Sequence, residues 1–147
     1  RKTTPLLREF EKFAVRMGGG TNHRLSLSDA ALIKDNHVHA AGGVAKAFSA
    51  VKAKYPNIAL EVEVDSLDQL KEVVAAGAQL VLLDNMSLEQ CRAAVEIVAG
   101  RTKLEASGGL TLENAKAYGS TGVDYLAVGA LTHSAPVLDI GLDLRME

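Results

Sequence analysis

Four polar or glycine residues follow short apolar runs at nearly even intervals along this chain. Glu63 lies in EVEVD, Asp84 ends LVLLD, Ser107 ends LEAS and Gly129 ends YLAVG, with spacings of about 22 residues. That interval equals one strand plus one returning helix. Because consecutive parallel strands end at the same edge of a sheet, these residues are predicted to gather there, where α/β enzymes carry their chemistry.

Glu63 and Asp84 are candidate metal ligands. Two carboxylates at the ends of neighbouring parallel strands suit Mg²⁺, which prefers oxygen and leaves its other positions to water and substrate phosphates. Acids at strand ends can equally serve solubility alone. In EVEVD, moreover, Glu61, Glu63 and Asp65 share one strand face by parity, so the residues do not decide among them.

Ser107, Gly109 and Gly129 are candidates for holding a phosphate. The segment Ser107 to Gly109 precedes a predicted helix, and Gly129 follows the next predicted strand. Glycines let a ligand approach the backbone, and free amides at a helix start attract anions. The alternative is a pair of ordinary tight turns, which use the same residue types.

Five basic residues are candidates for an acidic substrate: Arg1, Lys2, His23, Arg24 and Lys34. Arg offers a planar fork to a carboxylate or phosphate, and Lys a compact charge. Each of them alone could be an ordinary surface cation, and His23 alone could be a satisfied polar side chain. The cluster as a set suits an acidic substrate.

The elements that would position these residues follow from apolar periodicity and capping signals. The predicted helices cover about 5–17, with Thr4 as cap, and 43–55, 66–77, 87–100 and 112–118, with capping boxes at Ser66/Gln69 and Ser87/Gln90. One or two strands are predicted within 19–36, and others at 61–65, 80–84, 102–106, 123–128 and 138–144. Alternating strands and helices predict an α/β fold, a partial (β/α) TIM-like barrel whose last strand helps to close it.

Composition narrows the class further. The chain has 147 residues, 48% of them hydrophobic, with a net charge of −2 and one cysteine, Cys91. We expect one domain over 1–147, with no general attraction to nucleic acid or to a membrane, and a reducing cytoplasm as its location. A complete barrel needs about 250 residues, and Arg1 lies directly before a helix signal. We therefore expect a preceding part, including the first barrel strand, to be missing.

Six segments together resemble the quinolinate phosphoribosyltransferase family, the decarboxylating enzymes of NAD synthesis. They are RKTTP at 1–5, GGGTNHRLSLSDAALIKDNHV at 18–38, EVEVD at 61–65, LLDNM at 82–86, EASGG at 105–109 and VGALTHSAPVLDIGLD at 128–143. The resemblance covers essentially the whole chain in order. It is to the carboxyl-terminal half to two thirds of that enzyme, without its amino-terminal α/β domain and the first part of the barrel.

The resemblance implies a role for each group of candidates. The positions matching Arg1, Lys2, His23, Arg24 and Lys34 would line a pyridine dicarboxylate pocket, and those matching Ser107, Gly109, Gly129 and His133 would hold the 5-phosphate of phosphoribosyl pyrophosphate. Those matching Glu63 and Asp84 would serve Mg²⁺ and the ribose, which makes Lys34, Glu63 and Asp84 the candidate catalytic residues. The resemblance further implies a homodimer or higher oligomer whose subunits complete one another's sites.

The implied reaction joins quinolinate to phosphoribosyl pyrophosphate and releases pyrophosphate and CO₂, with nicotinate mononucleotide as the product. Two other functions stay open at this point. A barrel lyase or aldolase could use Lys34 as a Schiff-base nucleophile, and a non-catalytic piece could fold only with a partner chain. Specificity for quinolinate over nicotinate is also open, and we expect little activity from these 147 residues alone.

Overall fold

The computed structural model describes residues 2–145, and these separate into two compact units. The first unit covers residues 22–128, and the second combines residues 2–21 with the segment that begins at Gly129. Arg1, Met146 and Glu147 lie outside the described residues, so the predicted role of Arg1 stays a prediction. A single domain over 1–147 likewise stays a prediction.

Strands and helices alternate through the first unit. The elements in chain order are α1 Arg8–Met17, β1 Ala31–Ile33, α2 Asp35–Ala41, α3 Val44–Lys54, β2 Leu60–Val64, α4 Leu67–Ala75, β3 Leu80–Asp84, α5 Leu88–Val98, β4 Lys103–Ser107, α6 Leu112–Gly119, β5 Tyr125–Ala127 and α7 Ala130–His133. The five strands form one parallel sheet in the order β1-β2-β3-β4-β5. This sequential parallel order is that of a (β/α) barrel, which confirms the predicted fold class.

The two faces of the sheet have different compositions because side chains alternate along a strand. One face packs against the helices and carries the apolar residues Val62, Val64, Val81, Leu83, Leu104 and Ala106, all buried. The other, here called the inner face, carries Glu61, Glu63, Leu82, Asp84, Glu105 and Ser107. The strand register therefore places the hydrophobic core on one face of the sheet and the candidate functional residues on the other.

The helices of the first unit cover the apolar face with short side chains. Leu70 and Val73 from α4, and Cys91 and Ala94 from α5, are fully buried against the strands. Burying apolar area of this kind contributes about 25 cal/mol per Å². The rigid layer that results holds the strand ends in place.

Polar caps start the helices at the carboxyl edge of the sheet. Ser87 and Gln90 form the predicted capping box, with hydrogen bonds of 3.2 and 2.8 Å between each side chain and the other residue's amide. Ser66 accepts from the Gln69 amide, but the Gln69 side chain accepts from Asp65 instead, so the second predicted box is incomplete. A further box at Thr111, with Asn114 in place of Glu or Gln, was not predicted.

Residues 19–36 contain one strand, β1, and no second strand over Leu25 and Leu27. Leu25 and Leu27 alternate as a strand would, but the Asp29 carboxylate accepts hydrogen bonds from the amides of Leu25 and Ser26, at 2.7 and 3.1 Å. These hydrogen bonds fold the segment into a turn. They also use backbone amides that a β-strand would need for pairing with a neighbouring strand. The short helix α2, which directly follows β1, was not predicted.

In the second unit, α1 begins at Arg8 and not at Pro5. Leu7 is the residue before the helix and has no side-chain cap, while Thr4 forms a turn in which its carbonyl accepts from the Leu7 amide at 3.1 Å. Thr4 therefore does not cap the helix as predicted. Its amide donates to the Glu11 carboxylate at 3.0 Å, so the acid in the helix satisfies the preceding turn.

The predicted strand over 138–144 is wrong. Residues 135–145 form no regular element, and the alternating side chains Leu138, Ile140, Leu142 and Leu144 are all exposed. A strand needs hydrogen-bonding partners along its edge. The described part of the second unit offers only helices α1 and α7, so the alternating pattern finds no strand to pair with.

None of the described helices has the length and apolar composition needed to cross a bilayer.

Candidate active site

The carboxyl edge of the sheet forms a cleft of about 300 Å³, here called the acidic cleft. Its wall contains Asp35, Val38, His39, Glu63, Val64, Asp65, Gln69 and Asp84. Glu63 and Asp84 come from neighbouring strands, as the repeat predicted. Their register is not equivalent, however, because Glu63 pairs with Leu82 and Asp84 lies two residues further along β3.

Lys34 pairs with Glu63 at one side of this cleft. The end of β1 pairs Ile33 with Val62, which places Lys34 beside Glu63, and the Lys34 ammonium donates to Glu63 Oε2. An amine held as an ammonium by a carboxylate has no free lone pair. This contact favours Lys34 as a cation that orients charge over Lys34 as a Schiff-base nucleophile.

Asp84 and Ser107 are direct neighbours across β3 and β4. The Asn85 amide donates to the Ser107 carbonyl at 2.9 Å, and the Asn85 side chain donates to Asp84 Oδ2 at 2.9 Å. Gly108 has φ +99°, and a Cβ there would lie 2.2 Å from Asn85 Oδ1. The glycine therefore permits the close contact that holds Asn85, and through it the Asp84 carboxylate.

The donors of the acidic cleft fit a magnesium ion. Glu63 and Asp84, together with Asp35 and Asp65, supply only hard carboxylate oxygens, and Mg²⁺ takes one or two of these. Of the three acids that EVEVD left open, Glu63 and Asp65 line the cleft and Glu61 does not. The identity of the metal-binding pair stays a prediction.

A second cleft, of about 200 Å³ and here called the histidine cleft, lies nearer the amino ends of the strands. It is lined by His23, Arg24, Ala30, Ala59, Leu60, Glu61, Leu80 and Glu105. Two of the predicted substrate-binding residues, His23 and Arg24, are therefore together, and they face two acids that the sequence analysis did not select. Strand parity was the available signal, because Glu61 and Glu105 occupy inner-face positions of EVEVD and KLEAS.

Glu61 and Glu105 crowd the same imidazole. His23 Nε2 lies 2.9 Å from Glu61 Oε2 and 3.8 Å from Glu105 Oε1. Burial, and then repulsion from the Glu61 carboxylate, raise the pKa of the Glu105 carboxyl to about 7. Near neutral pH, Glu105 is therefore partly protonated.

This shifted pKa predicts a pH-dependent stability that Glu105→Gln removes. A carboxyl whose pKa is higher in the folded state stabilises the fold below its unfolded pKa, near 4.5, and loses that contribution as the pH rises through about 7. From pH 5 to pH 8 the variant should gain on the wild type in free energy of unfolding, by at most about 3 kcal/mol. Urea denaturation of the intact protein at several pH values measures the difference.

The matched control is Glu96→Gln, which removes an exposed acid of α5. It should follow the wild-type pH curve. Parallel curves for the wild type and Glu105→Gln would show that Glu105 is charged throughout this range, contrary to the prediction.

The remaining predicted site residues occupy two places. Gly109, with φ +59°, belongs to the turn between β4 and α6, next to Ser107. In the second unit, the Thr132 hydroxyl donates to the Lys2 carbonyl at 2.8 Å, which brings Lys2 to helix α7. A Cβ at Gly129 would lie 2.7 Å from His133 Nε2, so this glycine leaves room for the His133 ring.

Comparison with known proteins decides the family. The family model described as quinolinate phosphoribosyl transferase, C-terminal domain, matches residues 1–143. The chain belongs to this family. The resemblance drawn from the six sequence segments is thus confirmed, as is the α/β fold that it implies.

Individual relatives agree with the family model. The chain is 59% identical over 147 residues to the nicotinate-nucleotide pyrophosphorylase [carboxylating] of Mycobacterium leprae, covering 98% of this chain and 52% of that protein. It is 42% identical over 166 residues to a mitochondrial quinolinate phosphoribosyltransferase [decarboxylating] of Nicotiana glauca, covering 100% and 47%. The chain thus spans about half the length of these curated relatives.

Solved structures show the same relation. The crystal structure of NadC from Streptococcus pyogenes superposes with a TM-score of 0.86 at 49% identity, covering 95% of this chain and 49% of that one. A thiamine phosphate pyrophosphorylase from Pyrococcus furiosus matches with a TM-score of 0.57 at 22% identity. The second likeness concerns the fold alone.

Proposed function

We propose that this chain supplies the barrel part of a quinolinate phosphoribosyltransferase that forms nicotinate mononucleotide, pyrophosphate and CO₂. The observation that carries the proposal is the convergence of Glu63 and Asp84 at one cleft, in a chain of this family. Lys34 pairs with Glu63, and Ser107 is the strand neighbour of Asp84. Acids for a metal and a cation lie together at the edge where barrel enzymes act.

The substrate's charges fit the cations of the first unit. Quinolinate carries two carboxylates. The described residues offer Lys34 beside the acidic cleft and Arg24 in the histidine cleft, with Arg1 and Lys2 as further predicted partners of the substrate. An Arg fork and a Lys ammonium each form strong charge-assisted hydrogen bonds to a carboxylate. A monocarboxylate would leave part of this charge unmatched, which favours quinolinate over nicotinate.

In the proposed reaction, the ring nitrogen of quinolinate bonds to C1 of the ribose as the bond from C1 to the pyrophosphate oxygen breaks. The carboxylate next to the new pyridinium leaves as CO₂, and its bonding electron pair stays on the ring carbon, which then takes a proton. Glu63 and Asp84 would hold Mg²⁺, which neutralises charge on the pyrophosphate. Ser107 and Gly109, with Gly129 and His133, would hold the 5-phosphate.

The test uses the intact protein with phosphoribosyl pyrophosphate, Mg²⁺ and quinolinate labelled at the carboxyl group next to the ring nitrogen. Release of labelled CO₂, with one nicotinate mononucleotide formed per CO₂, is the expected result. Nicotinate in place of quinolinate is the control and should give little product. Equal turnover of nicotinate, or no product from quinolinate, would refute the assignment.

We further propose a homodimer or higher oligomer. Helix α1 of the second unit exposes Phe10, Phe13 and Met17, a set of apolar side chains that a partner subunit would cover. Light scattering of the intact protein should give at least twice the mass of one subunit. A monomeric mass at micromolar concentration would contradict this proposal.

We also propose the cytoplasm as the location. The single cysteine, Cys91, is buried and free, as suits a reducing compartment. Cell fractionation with an antibody to the protein tests this, and recovery in a membrane or secreted fraction would oppose it.

A further inference from the structure

The imidazole of His23 has both ring nitrogens engaged. The backbone amide of Arg24 donates to His23 Nδ1 at 2.9 Å. A backbone N–H can only donate, so Nδ1 must carry a lone pair and no proton. The ring hydrogen then lies on Nε2, which donates to Glu61 Oε2 at 2.9 Å. The two contacts together define the neutral tautomer with hydrogen on Nε2.

The Glu61 carboxylate is buried and only partly satisfied by hydrogen bonds. Its side chain is only 6% exposed, and its second oxygen, Oε1, accepts no hydrogen bond from the described residues. A buried carboxylate that is left partly unsatisfied costs stability. A role in holding His23 accounts for an acid at this position, where an apolar residue would give a more stable fold.

The chain of contacts continues from His23 to Arg24. The ring accepts from the Arg24 amide, and the Arg24 guanidinium donates through Nη1 to the Ala30 carbonyl at 2.9 Å. Arg24 is thus held both at its backbone and at its charged end. The guanidinium has further N–H groups, because Arg has five donors in a rigid fork.

We propose that Glu61 is a positioning residue that acts through His23 to orient Arg24 toward a carboxylate of the pyridine substrate. This inference rests on the proposed function. Glu61 fixes the tautomer and the ring angle of His23, and His23 fixes the backbone of Arg24. Arg24 then meets the carboxylate without first reorganising, which favours binding.

The same three side chains, His23, Glu61 and Glu105, have donor atoms within 4.8 Å of one another and could suggest a metal site. The hydrogen bonds argue against that assignment. A metal at Nε2 needs the lone pair of that nitrogen, so the ring hydrogen would have to move to Nδ1. Nδ1 could then no longer accept from the Arg24 amide. The cluster is therefore assigned to positioning.

Steady-state kinetics of three variants of the intact protein test the proposal. Glu61→Ala removes the acceptor and should raise KM for quinolinate about tenfold, while kcat and KM for phosphoribosyl pyrophosphate stay within about twofold. Glu61→Gln keeps an oxygen that can accept from His23 Nε2, and should stay within about threefold of the wild type in every constant. Glu96→Gln, which removes an exposed acid of α5 outside the histidine cleft, is the control and should leave every constant unchanged.

Nitrogen NMR of histidine-labelled intact protein reads the tautomer without reference to activity. His23 should show an unprotonated Nδ1 and a protonated Nε2 in the wild type, and a mixture of tautomers in Glu61→Ala. A charged ring or a protonated Nδ1 in the wild type would overturn the proposal. So would an unchanged KM in Glu61→Ala, or equal damage from Glu61→Gln and Glu61→Ala.

These outcomes are separate from failure of the proposed function. Absence of CO₂ release from the wild type would refute the reaction and leave the tautomer measurement standing. Should Glu61→Ala fail to fold, the wild-type spectrum and the isosteric Glu61→Gln variant still decide the question.

Discussion

Replacing either Glu63 or Asp84 with alanine in the intact protein is expected to lower turnover with phosphoribosyl pyrophosphate by about 100-fold or more. Each replacement removes a carboxylate from the acidic cleft, where it would bind the metal that neutralises the departing pyrophosphate. The loss should fall mainly on kcat, because charge develops on the leaving group during bond breaking. Steady-state kinetics at saturating Mg²⁺ measure it.

The design separates a catalytic role from a general loss of negative charge. Asp68→Ala removes an exposed acid of α4 that pairs with Lys71, and should leave turnover unchanged. Asp65→Ala removes the other acid that EVEVD offers to the cleft, and a smaller effect than that of Glu63→Ala is expected. Wild-type rates in both Glu63→Ala and Asp84→Ala would end the metal assignment.

The Lys34 contact complicates Glu63→Ala in a predictable way. Removing Glu63 leaves the Lys34 ammonium without its carboxylate partner, so the cation becomes available to a substrate oxygen. KM for quinolinate should therefore rise less than kcat falls. Asp84→Ala leaves the pair of Lys34 and Glu63 intact and isolates the effect of the metal ligand.

Gly108→Ala is expected to destabilise the fold by about 2–4 kcal/mol. The residue has φ +99°, which side chains rarely adopt, and the new Cβ would lie 2.2 Å from Asn85 Oδ1 and 2.9 Å from the Asn85 backbone nitrogen. Backbone cannot move aside as a flexible side chain can. Urea denaturation of the intact protein should show the midpoint lowered.

Gly109→Ala is the matched control for that experiment. The neighbouring glycine also has positive φ, +59°, but a Cβ there meets nothing within 4 Å. Only the backbone penalty of about 1–2 kcal/mol should then appear. If the two variants lost equal stability, the contact with Asn85 would not be the reason for glycine at position 108.

Gly108→Ala should also lower activity more than its stability loss explains. Asn85 donates to Asp84 Oδ2, so a displaced Asn85 leaves that carboxylate less well oriented. Activity measured well below the unfolding temperature separates the two effects. An Asp84→Ala background should abolish the extra loss, because the oriented group is then absent.

Much of the first unit could be predicted because its signals are local. The alternation in EVEVD, the capping pair Ser87 and Gln90, and the glycines that follow α4 and α5 each specify their element through neighbouring residues. The shared edge of Glu63 and Asp84 followed from the repeat. A parallel sheet needs no further information to place those strand ends together.

The predictions that failed did so because they depended on side-chain hydrogen bonds or on residues distant in sequence. The pattern of Leu25 and Leu27 lost to the Asp29 carboxylate, and the pattern over 138–144 lacked a strand to pair with. In the site, Glu61 and Glu105 belong to strands far apart in sequence, and only the sheet shows that both meet His23. The alternation of side chains along each strand predicted the face on which these two acids lie, but not that they contact His23.

The five residues of strand β2 serve both faces of the sheet. Its odd positions carry the acids, and its even positions carry the valines that seal the helices to the sheet. One inserted residue would exchange the two faces of the strand. The carboxylates would then point into the buried apolar layer, and the valines would point to the inner face of the sheet. Insertions and deletions within this strand should therefore not be tolerated. They should be confined to turns such as the one around Asp29, where an added residue leaves both faces of β2 unchanged.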